Sequence, residues 1–193
     1  MPPTHVLEDV IENYYYQEFN RINPLIIGLK ESIAGRPTDG VIRFYNKNGT
    51  LKFWILQETK RDVGINSVFV RRSLLQALMY LGNVYYDVTH LDLKLFNGIF
   101  LDSSRYFIYI PKSEIDKIMV DFEELWKEHF KVAPSKAYLI KPLLNFVEAL
   151  SINNAVKCTI DNNFRLDLII NGIYNGDYHR TINAGKSDPH QKQ

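Results

Sequence analysis

Residues 38–60 read TDGVIRFYNKNGTLKFWILQETK, and this stretch contains two runs that are typical of β-strands. Both runs, 41–46 and 51–60, are rich in β-branched and aromatic residues, as strands usually are. Asn48-Gly49 lies between them and predicts a two-residue type I′ turn, because both central positions of that turn need a positive φ. The stretch therefore predicts a β-hairpin.

The open end of this hairpin carries two acids and a lysine. If Lys47 pairs with Thr50, opposed residues have numbers that sum to 97. Asp39 then lies opposite Glu58, and directly opposed residues share a face of a sheet. Side chains alternate along a strand, so Glu58 and Lys60 also point to one face. We therefore expect these three side chains to converge.

The opposed carboxylates of Asp39 and Glu58 predict a cation between them, because two such groups otherwise repel each other. Mg2+ suits this place, since it commonly binds one or two carboxylates together with phosphate oxygens. Such an ion polarises a phosphate and acidifies water, and Lys60 can orient that water or neutralise developing charge. The pattern indicates magnesium-dependent phosphodiester cleavage, and an exposed Glu–Lys pair at a solvated hairpin end is the alternative.

Residues 68–83 predict an amphipathic helix with Ser67 as its N-cap. Its apolar positions repeat with helical spacing at Val70, Leu74, Ala77, Leu78 and Leu81. Arg72, Gln76 and Tyr80 form a second row beside them, four residues apart. This basic, amide and phenol row predicts contacts with nucleic acid phosphates and bases. An ordinary solvated helix face is the alternative.

Taken in order, these motifs resemble the PD-(D/E)XK nuclease superfamily. Thr38-Asp39 precedes Glu58-Thr59-Lys60, with Thr38 where many members have proline. The following helix carries Gln76-Ala77-Leu78-Met79-Tyr80, which is similar to the QxxxY element of the RecB-like branch. That branch is found in recombination exonucleases and motor-type restriction subunits. The resemblance covers about residues 5–110 and implies a restriction-endonuclease-like α/β fold, with a central mixed β-sheet flanked by helices.

The resemblance also implies a role for each matching residue. Asp39 and Glu58 would be metal ligands for Mg2+, with Mn2+ as a substitute, and Lys60 would be the catalytic lysine. Gln76 and Tyr80 would support the site or hold DNA. These implied roles agree with the chemistry that the hairpin end predicts independently.

Many members of the superfamily add a glutamate from the first helix. We expect Glu12 as the third metal ligand because it lies in the middle of the predicted helix over residues 5–20. The sequence leaves three other acids open as alternatives: Glu8, Glu18 and Glu31.

Further elements follow from hydrophobic periodicity and turn residues. A second helical piece is expected over residues 25–32. Strands are expected over residues 97–101, 106–110, 156–160 and 164–170, and helices over 112–130 and 134–150. A nuclease core over residues 1–130 accounts for most of these elements. Residues 131–193 are expected to extend the same domain or to begin another.

The composition limits the function. The chain has 193 residues, of which 46% are hydrophobic, and its formal net charge is +1 from 23 basic and 22 acidic residues. A free-standing DNA binder usually relies on many phosphate contacts and is more basic. We therefore expect further domains or subunits to supply recognition or translocation.

The location of the protein is expected to be cytoplasmic. Its one cysteine, Cys158, excludes an internal disulfide and the zinc-site spacings. No apolar run reaches the ~18 residues that a membrane span needs, and the first residues lack the pattern of a secretory signal. We expect DNA as the partner and no membrane association.

These observations together predict a magnesium-dependent DNA endonuclease domain, the nuclease module of a restriction–modification enzyme. A DNA exonuclease or repair nuclease of the same fold is the first alternative. A non-catalytic nucleic-acid-binding module is the second.

Overall fold

The computed structural model describes residues 2–4, 6–61, 67–160 and 165–177. The helices are α1 (Glu8–Ile22), α2 (Ser67–Tyr86), α3 (Lys112–His129), α4 (Lys141–Glu148) and α5 (Leu166–Asn175). The strands are β1 (Ile26–Leu29), β2 (Ser32–Ile33), β3 (Arg36–Pro37), β4 (Gly40–Tyr45), β5 (Leu51–Thr59), β6 (Phe96–Asp102), β7 (Tyr106–Pro111) and β8 (Val156–Thr159). Two short 3-10 helices cover Leu93–Leu95 and Pro134–Leu139.

Six of these strands form one mixed sheet in the order β1-β4-β5-β6-β7-β8. All neighbours in it are antiparallel except β5 and β6, which are parallel. A parallel pair needs a crossover connection, and the chain between these strands contains α2. The predicted class, a mixed α/β fold with helices flanking a central sheet, is confirmed.

The sheet has a hydrophobic core on each face. On one face, Ile55 of β5 packs with side chains of α1 and α5. On the other face, Trp54 and Leu56 pack with side chains of α2, α3 and α4. Because neighbouring residues of β5 point to opposite faces, this strand is buried on both sides. Its polar end, Gln57 to Thr59, is therefore buried as well.

The hairpin between β4 and β5 forms, but its turn is not the predicted one. Among the described non-glycine residues only Ala34 has a positive φ, so Asn48 does not adopt the type I′ conformation. The Gly49 N–H donates to the Asn46 carbonyl and the Asn46 N–H donates to the Thr50 carbonyl. The loop is thus a three-residue connection that ends with Gly49 at φ 85°, a common hairpin type.

The predicted register nevertheless holds toward the open end of the hairpin. Tyr45 pairs with Leu51, whereas Phe44 pairs with Phe53, so Lys52 is an extra residue on β5. This bulge restores the sum of 97 from Phe44–Phe53 through Gly40–Gln57. The longer turn and the bulge compensate each other. As a result, Asp39 directly precedes Gly40 and Glu58 directly follows Gln57, the last pair of the ladder.

Two elements differ from the predicted type. Residues 25–32 were expected to be helical, but Ile26–Leu29 pair with β4 as an edge strand. Residues 164–170 were expected to form a strand, but α5 occupies Leu166–Asn175, and Phe164 lies outside the described residues. Short apolar runs fit either a strand or a buried helix, and packing against the sheet decides between them.

The described parts of the chain after residue 130 pack onto the same sheet. β8 pairs with β7 at one edge, and α4 contacts α2. The domain expectation for residues 131–193 includes residues 161–164 and 178–193, which lie outside the described part. Of the helices in the described ranges, none combines the length and the apolar character that crossing a membrane requires.

Candidate functional site

Three elements bring the carboxylates of Glu12, Asp39 and Glu58 together at one end of the sheet. Glu58 is the last residue but one of β5, and Asp39 directly precedes β4. Glu12 extends from α1. The side chains of Glu12 and Glu58 are buried, at 3% and 1% residue exposure, while Asp39 is half-buried. Three acids in so little solvent form an electrostatically costly arrangement.

Asp39 lies between the other two acids. Its Oδ2 accepts a hydrogen bond of 2.8 Å from the Thr59 backbone N–H, which holds the carboxylate at the end of β5. Its backbone carbonyl accepts a hydrogen bond from the Tyr16 hydroxyl of α1. The negative charge of the Asp39 carboxylate acts on both Glu12 and Glu58. Asp39 thus connects α1, β4 and β5.

Glu58 has one satisfied and one unsatisfied carboxylate oxygen. Oε1 accepts a hydrogen bond from Lys60 Nζ at 3.1 Å. Oε2 is buried and has no hydrogen-bond partner within the described part of the chain. Burial, and then the negative charge of Asp39, raise the pKa of Glu58 well above its usual range, although Lys60 acts against this. A buried acceptor without a donor indicates a place for a cation or a proton.

Lys60 connects the acids to α2. Its Nζ donates to Gln76 Oε1 at 2.8 Å as well as to Glu58. Burial lowers the pKa of Lys60, but the neighbouring acids Glu58, Glu8 and Asp39 together outweigh that effect and leave the pKa raised. The ammonium group is therefore charged at neutral pH and is held by two acceptors.

Tyr80, one turn after Gln76, closes the other side of the site. Its hydroxyl donates to the Pro37 carbonyl at 2.6 Å, which fixes α2 against the segment that leads to Asp39. Burial, followed by the charges of Glu58 and Asp39, raises its pKa to about 12. Tyr80 therefore acts as a neutral hydrogen-bond donor near neutral pH.

Glu12 has a cation at the solvent side. Lys30 Nζ lies 3.6 Å from Glu12 Oε2, and the lysine side chain is 55% exposed. Burial, and then the charge of Asp39, raise the pKa of Glu12 to about 8, against a lowering by Lys30. The pKa of Glu12 thus lies near neutral pH, and a cation beside Asp39 would lower it.

The other candidate residues are placed differently. Glu18 pairs with Arg21 at 2.7 Å, and Glu31 pairs with Arg43 at 2.6 Å. Glu8 lies in the first turn of α1 and contributes to the raised pKa of Lys60. The Arg72 guanidinium lies 4.6 Å from the centre of the Tyr138 ring, in a cation–π contact.

Sequence reasoning missed Asp102, the last residue of β6. It is fully buried and accepts hydrogen bonds from Gln57 and Thr59, the residues on either side of Glu58 in β5. The signal was an aspartate directly after the apolar run 99–101. That signal becomes informative only once the parallel pairing of β5 and β6 is known.

The residues present fit a divalent cation of the magnesium type. Across the described ranges, no group of three or more His, Cys, Asp or Glu side chains is placed to hold a metal ion. Mg2+ usually takes one or two carboxylates and completes its shell with water and phosphate oxygens. Asp39 and the unpartnered Oε2 of Glu58 would supply that pair, and Glu12 lies beside Asp39.

Comparison with known proteins identifies no relative of this chain. No protein-family model, no characterised protein and no solved structure matches the chain significantly.

Proposed function

We propose that this chain is a Mg2+-dependent nuclease domain that hydrolyses phosphodiester bonds in DNA. The observation that carries the proposal is the buried Glu58 carboxylate. It lies beside Asp39, with Lys60 on one oxygen and no donor from the described residues on the other. Buried like charges with an unpaired acceptor destabilise a fold, and a functional cation accounts for why they are present.

In the proposed reaction Asp39 and Glu58 hold the metal, and Glu12 is the third acidic group at the same centre. When bound, Mg2+ supplies positive charge that polarises the phosphate and acidifies a nearby water. Lys60, charged and held by Glu58 and Gln76, stabilises negative charge that develops on the phosphate. Its two fixed acceptors keep the ammonium group oriented before substrate arrives.

Gln76 and Tyr80 support this centre from α2. Gln76 accepts from Lys60, and Tyr80 holds the segment before Asp39 through the Pro37 carbonyl. Their spacing matches the QxxxY element, which together with the Asp39…Glu58-x-Lys60 order supports the PD-(D/E)XK assignment and DNA as substrate. Arg72 contributes positive charge on the same helix but rests on the Tyr138 ring.

We infer that the domain works with partners, as the nuclease module of a restriction–modification enzyme. The net charge of +1 supports this setting, because sequence recognition or translocation on DNA needs more phosphate contacts than such a chain offers.

A supercoiled-plasmid cleavage assay tests the activity. We expect nicking with Mg2+ or Mn2+, none with EDTA, and none from Glu58→Gln or Lys60→Ala. Two matched controls should keep cleaving. Glu114→Gln changes a buried glutamate, 5% exposed, that pairs with Lys117 elsewhere. Lys157→Ala changes an exposed strand lysine.

The assay also separates the alternatives. Cleavage that persists in both site variants would overturn the assignment of the site. Digestion of linear but not of supercoiled DNA would replace the endonuclease with an exonuclease. Absence of both activities, with no binding of millimolar Mg2+ or Mn2+ by calorimetry, would favour a non-catalytic nucleic-acid-binding module.

A further inference from the structure

Asp102 lies at the same end of the sheet as the candidate site, on the face opposite Glu58 and on the side of α1, which carries Glu12. In the parallel ladder between β5 and β6, Asp102 pairs with Thr59 and Leu101 pairs with Glu58. Side chains of neighbouring residues alternate between faces. The Asp102 carboxylate therefore points toward α1, while Glu58 points toward α2.

The Asp102 carboxylate is held by two neutral donors. Thr59 Oγ1 donates to Oδ1 at 2.8 Å, and Gln57 Nε2 donates to Oδ2 at 2.9 Å. Gln57 Nε2 also lies 3.3 Å from Thr59 Oγ1, so the three side chains form one network. The backbone adds a further link, since the Lys60 N–H donates to the Asp102 carbonyl at 2.9 Å.

Burying a carboxylate at this position is energetically unfavourable. Asp102 is 0% exposed, and burial raises its pKa well above the usual range despite the two hydrogen bonds. A neutral side chain of similar size would avoid this desolvation. Stability of the sheet alone therefore does not account for an acid at the end of β6.

The network ends at a ligand of the proposed metal. The Thr59 side chain donates to Asp102, while the Thr59 backbone N–H donates to Asp39 Oδ2 at 2.8 Å. One residue thus contacts Asp102 through its side chain and Asp39 through its backbone. Fixing the orientation of the Thr59 peptide fixes the orientation of the Asp39 carboxylate.

We propose that Asp102 is a positioning residue of the metal centre, which acts on Asp39 through Thr59. The inference rests on the proposed function and extends it from the residues at the metal to the support behind them. Groups that orient metal ligands commonly account for 10–100-fold of metal affinity.

Titration calorimetry with Mg2+ on the full chain tests this proposal without relying on catalysis. Asp102→Asn preserves the shape of the side chain but replaces one acceptor with a donor that faces Gln57 Nε2. Thr59→Val is nearly isosteric and removes the hydroxyl, whereas Thr59→Ser keeps it. Asp116→Asn is the matched control, because Asp116 pairs with Lys112 and Tyr85 on another surface.

We expect Asp102→Asn and Thr59→Val each to weaken Mg2+ binding by about tenfold or more. Thr59→Ser and Asp116→Asn should bind like the wild type. The Asp102→Asn/Thr59→Val double variant should be no weaker than the weaker single variant, because both act on one link. Thermal unfolding without metal, measured in parallel, reports any loss of stability separately.

Wild-type affinity in both Asp102→Asn and Thr59→Val would overturn the role of Asp102 and leave the proposed nuclease intact. If Asp102→Asn does not fold, Thr59→Val decides between these two results. A wild-type chain that binds no Mg2+ would overturn the proposed function, and the positioning role with it.

Discussion

The backbone N–H of Thr59 donates a hydrogen bond of 2.8 Å to the carboxylate of Asp39, across the ends of two adjacent strands. This contact aligns Asp39 with Glu58, the neighbour of Thr59. The acids are thereby held close together although their charges repel. The fold holds this arrangement through the Thr59 backbone hydrogen bond and through Lys60, which donates to Glu58.

Glu58→Gln should stabilise the metal-free protein at pH 8. The substitution removes a carboxylate whose pKa is raised first by burial and then by Asp39. We expect a gain of at least ~1 kcal/mol in the free energy of unfolding, or about 2–4 °C in Tm for a chain of this size. Calorimetric melting in EDTA measures the effect. A lower Tm would show that Glu58 stabilises the fold.

The stability of the metal-free protein should fall as pH rises from about 5 to about 8. The pKa of Glu12 is about 8 in the folded state against an ordinary 4.5. Between these values the folded chain retains a proton that the unfolded chain has lost, so raising the pH favours unfolding. Urea titrations at several pH values, in EDTA, measure this slope.

Glu12→Gln should reduce that slope without abolishing it, because burial also raises the pKa values of Glu58 and Asp102. Glu18→Gln is the control and should not change it, because Arg21 holds the pKa of Glu18 below the ordinary value and its titration ends below this pH window. If the slope is unchanged in Glu12→Gln, Glu12 does not cause the dependence of stability on pH.

Glu31→Gln should reduce stability without affecting metal binding. Hydrogen bonding from Arg43 lowers the pKa of Glu31, and His90 contributes as well. The pair therefore stabilises the fold above pH 4.5, and this contribution is lost as the pH falls through the lowered pKa. We expect a loss of about 1 kcal/mol at pH 7, and a smaller difference from the wild type once the pH has fallen through the lowered pKa of Glu31.

Urea unfolding and Mg2+ calorimetry on the same Glu31→Gln sample check both parts of this prediction. Weaker metal binding, with the fold intact, would return Glu31 to the list of candidate ligands.

Gly82→Ala should destabilise the packing of α2 on α3. A Cβ at this position would overlap the indole of Trp126, whose Nε1–H donates to the Met79 carbonyl at 3.1 Å. Overpacking of this kind costs about 1–3 kcal/mol. In a Trp126→Phe background the additional loss should shrink, because the smaller ring leaves space for the methyl group. Equal losses in both backgrounds would mean that the two sites do not interact.

The sequence predicted the open end of the hairpin better than its turn. The strand runs and the pairing of Phe44 with Phe53 agree with a sum of 97, yet Tyr45 pairs with Leu51. A type I′ turn was expected, but the loop is one residue longer and Lys52 forms a bulge. Local turn propensity does not show a compensating bulge, because a bulge depends on how the whole strand packs.

Other parts of the fold depend on contacts that local patterns do not contain. Ile26–Leu29 form a strand because the edge of β4 is available for pairing. Leu166–Asn175 form a helix whose apolar side chains pack in the same core as those of α1. Asp102 reaches Thr59 only because β5 and β6 pair in parallel, and no short sequence motif predicts that pairing. The motif residues were visible in the sequence, whereas the residues that support them were not.

The parallel pairing of β5 and β6 has a consequence for the order of folding. Asp39 and Glu58 meet through a local hairpin, which needs little chain between its partners. Thr59 meets Asp102 only after residues 60–102 have been synthesised and the long loop between the two strands has closed. Closing such long-range contacts is the slower process. We therefore expect a growing chain to bring Asp39 and Glu58 together before Asp102 can reach Thr59.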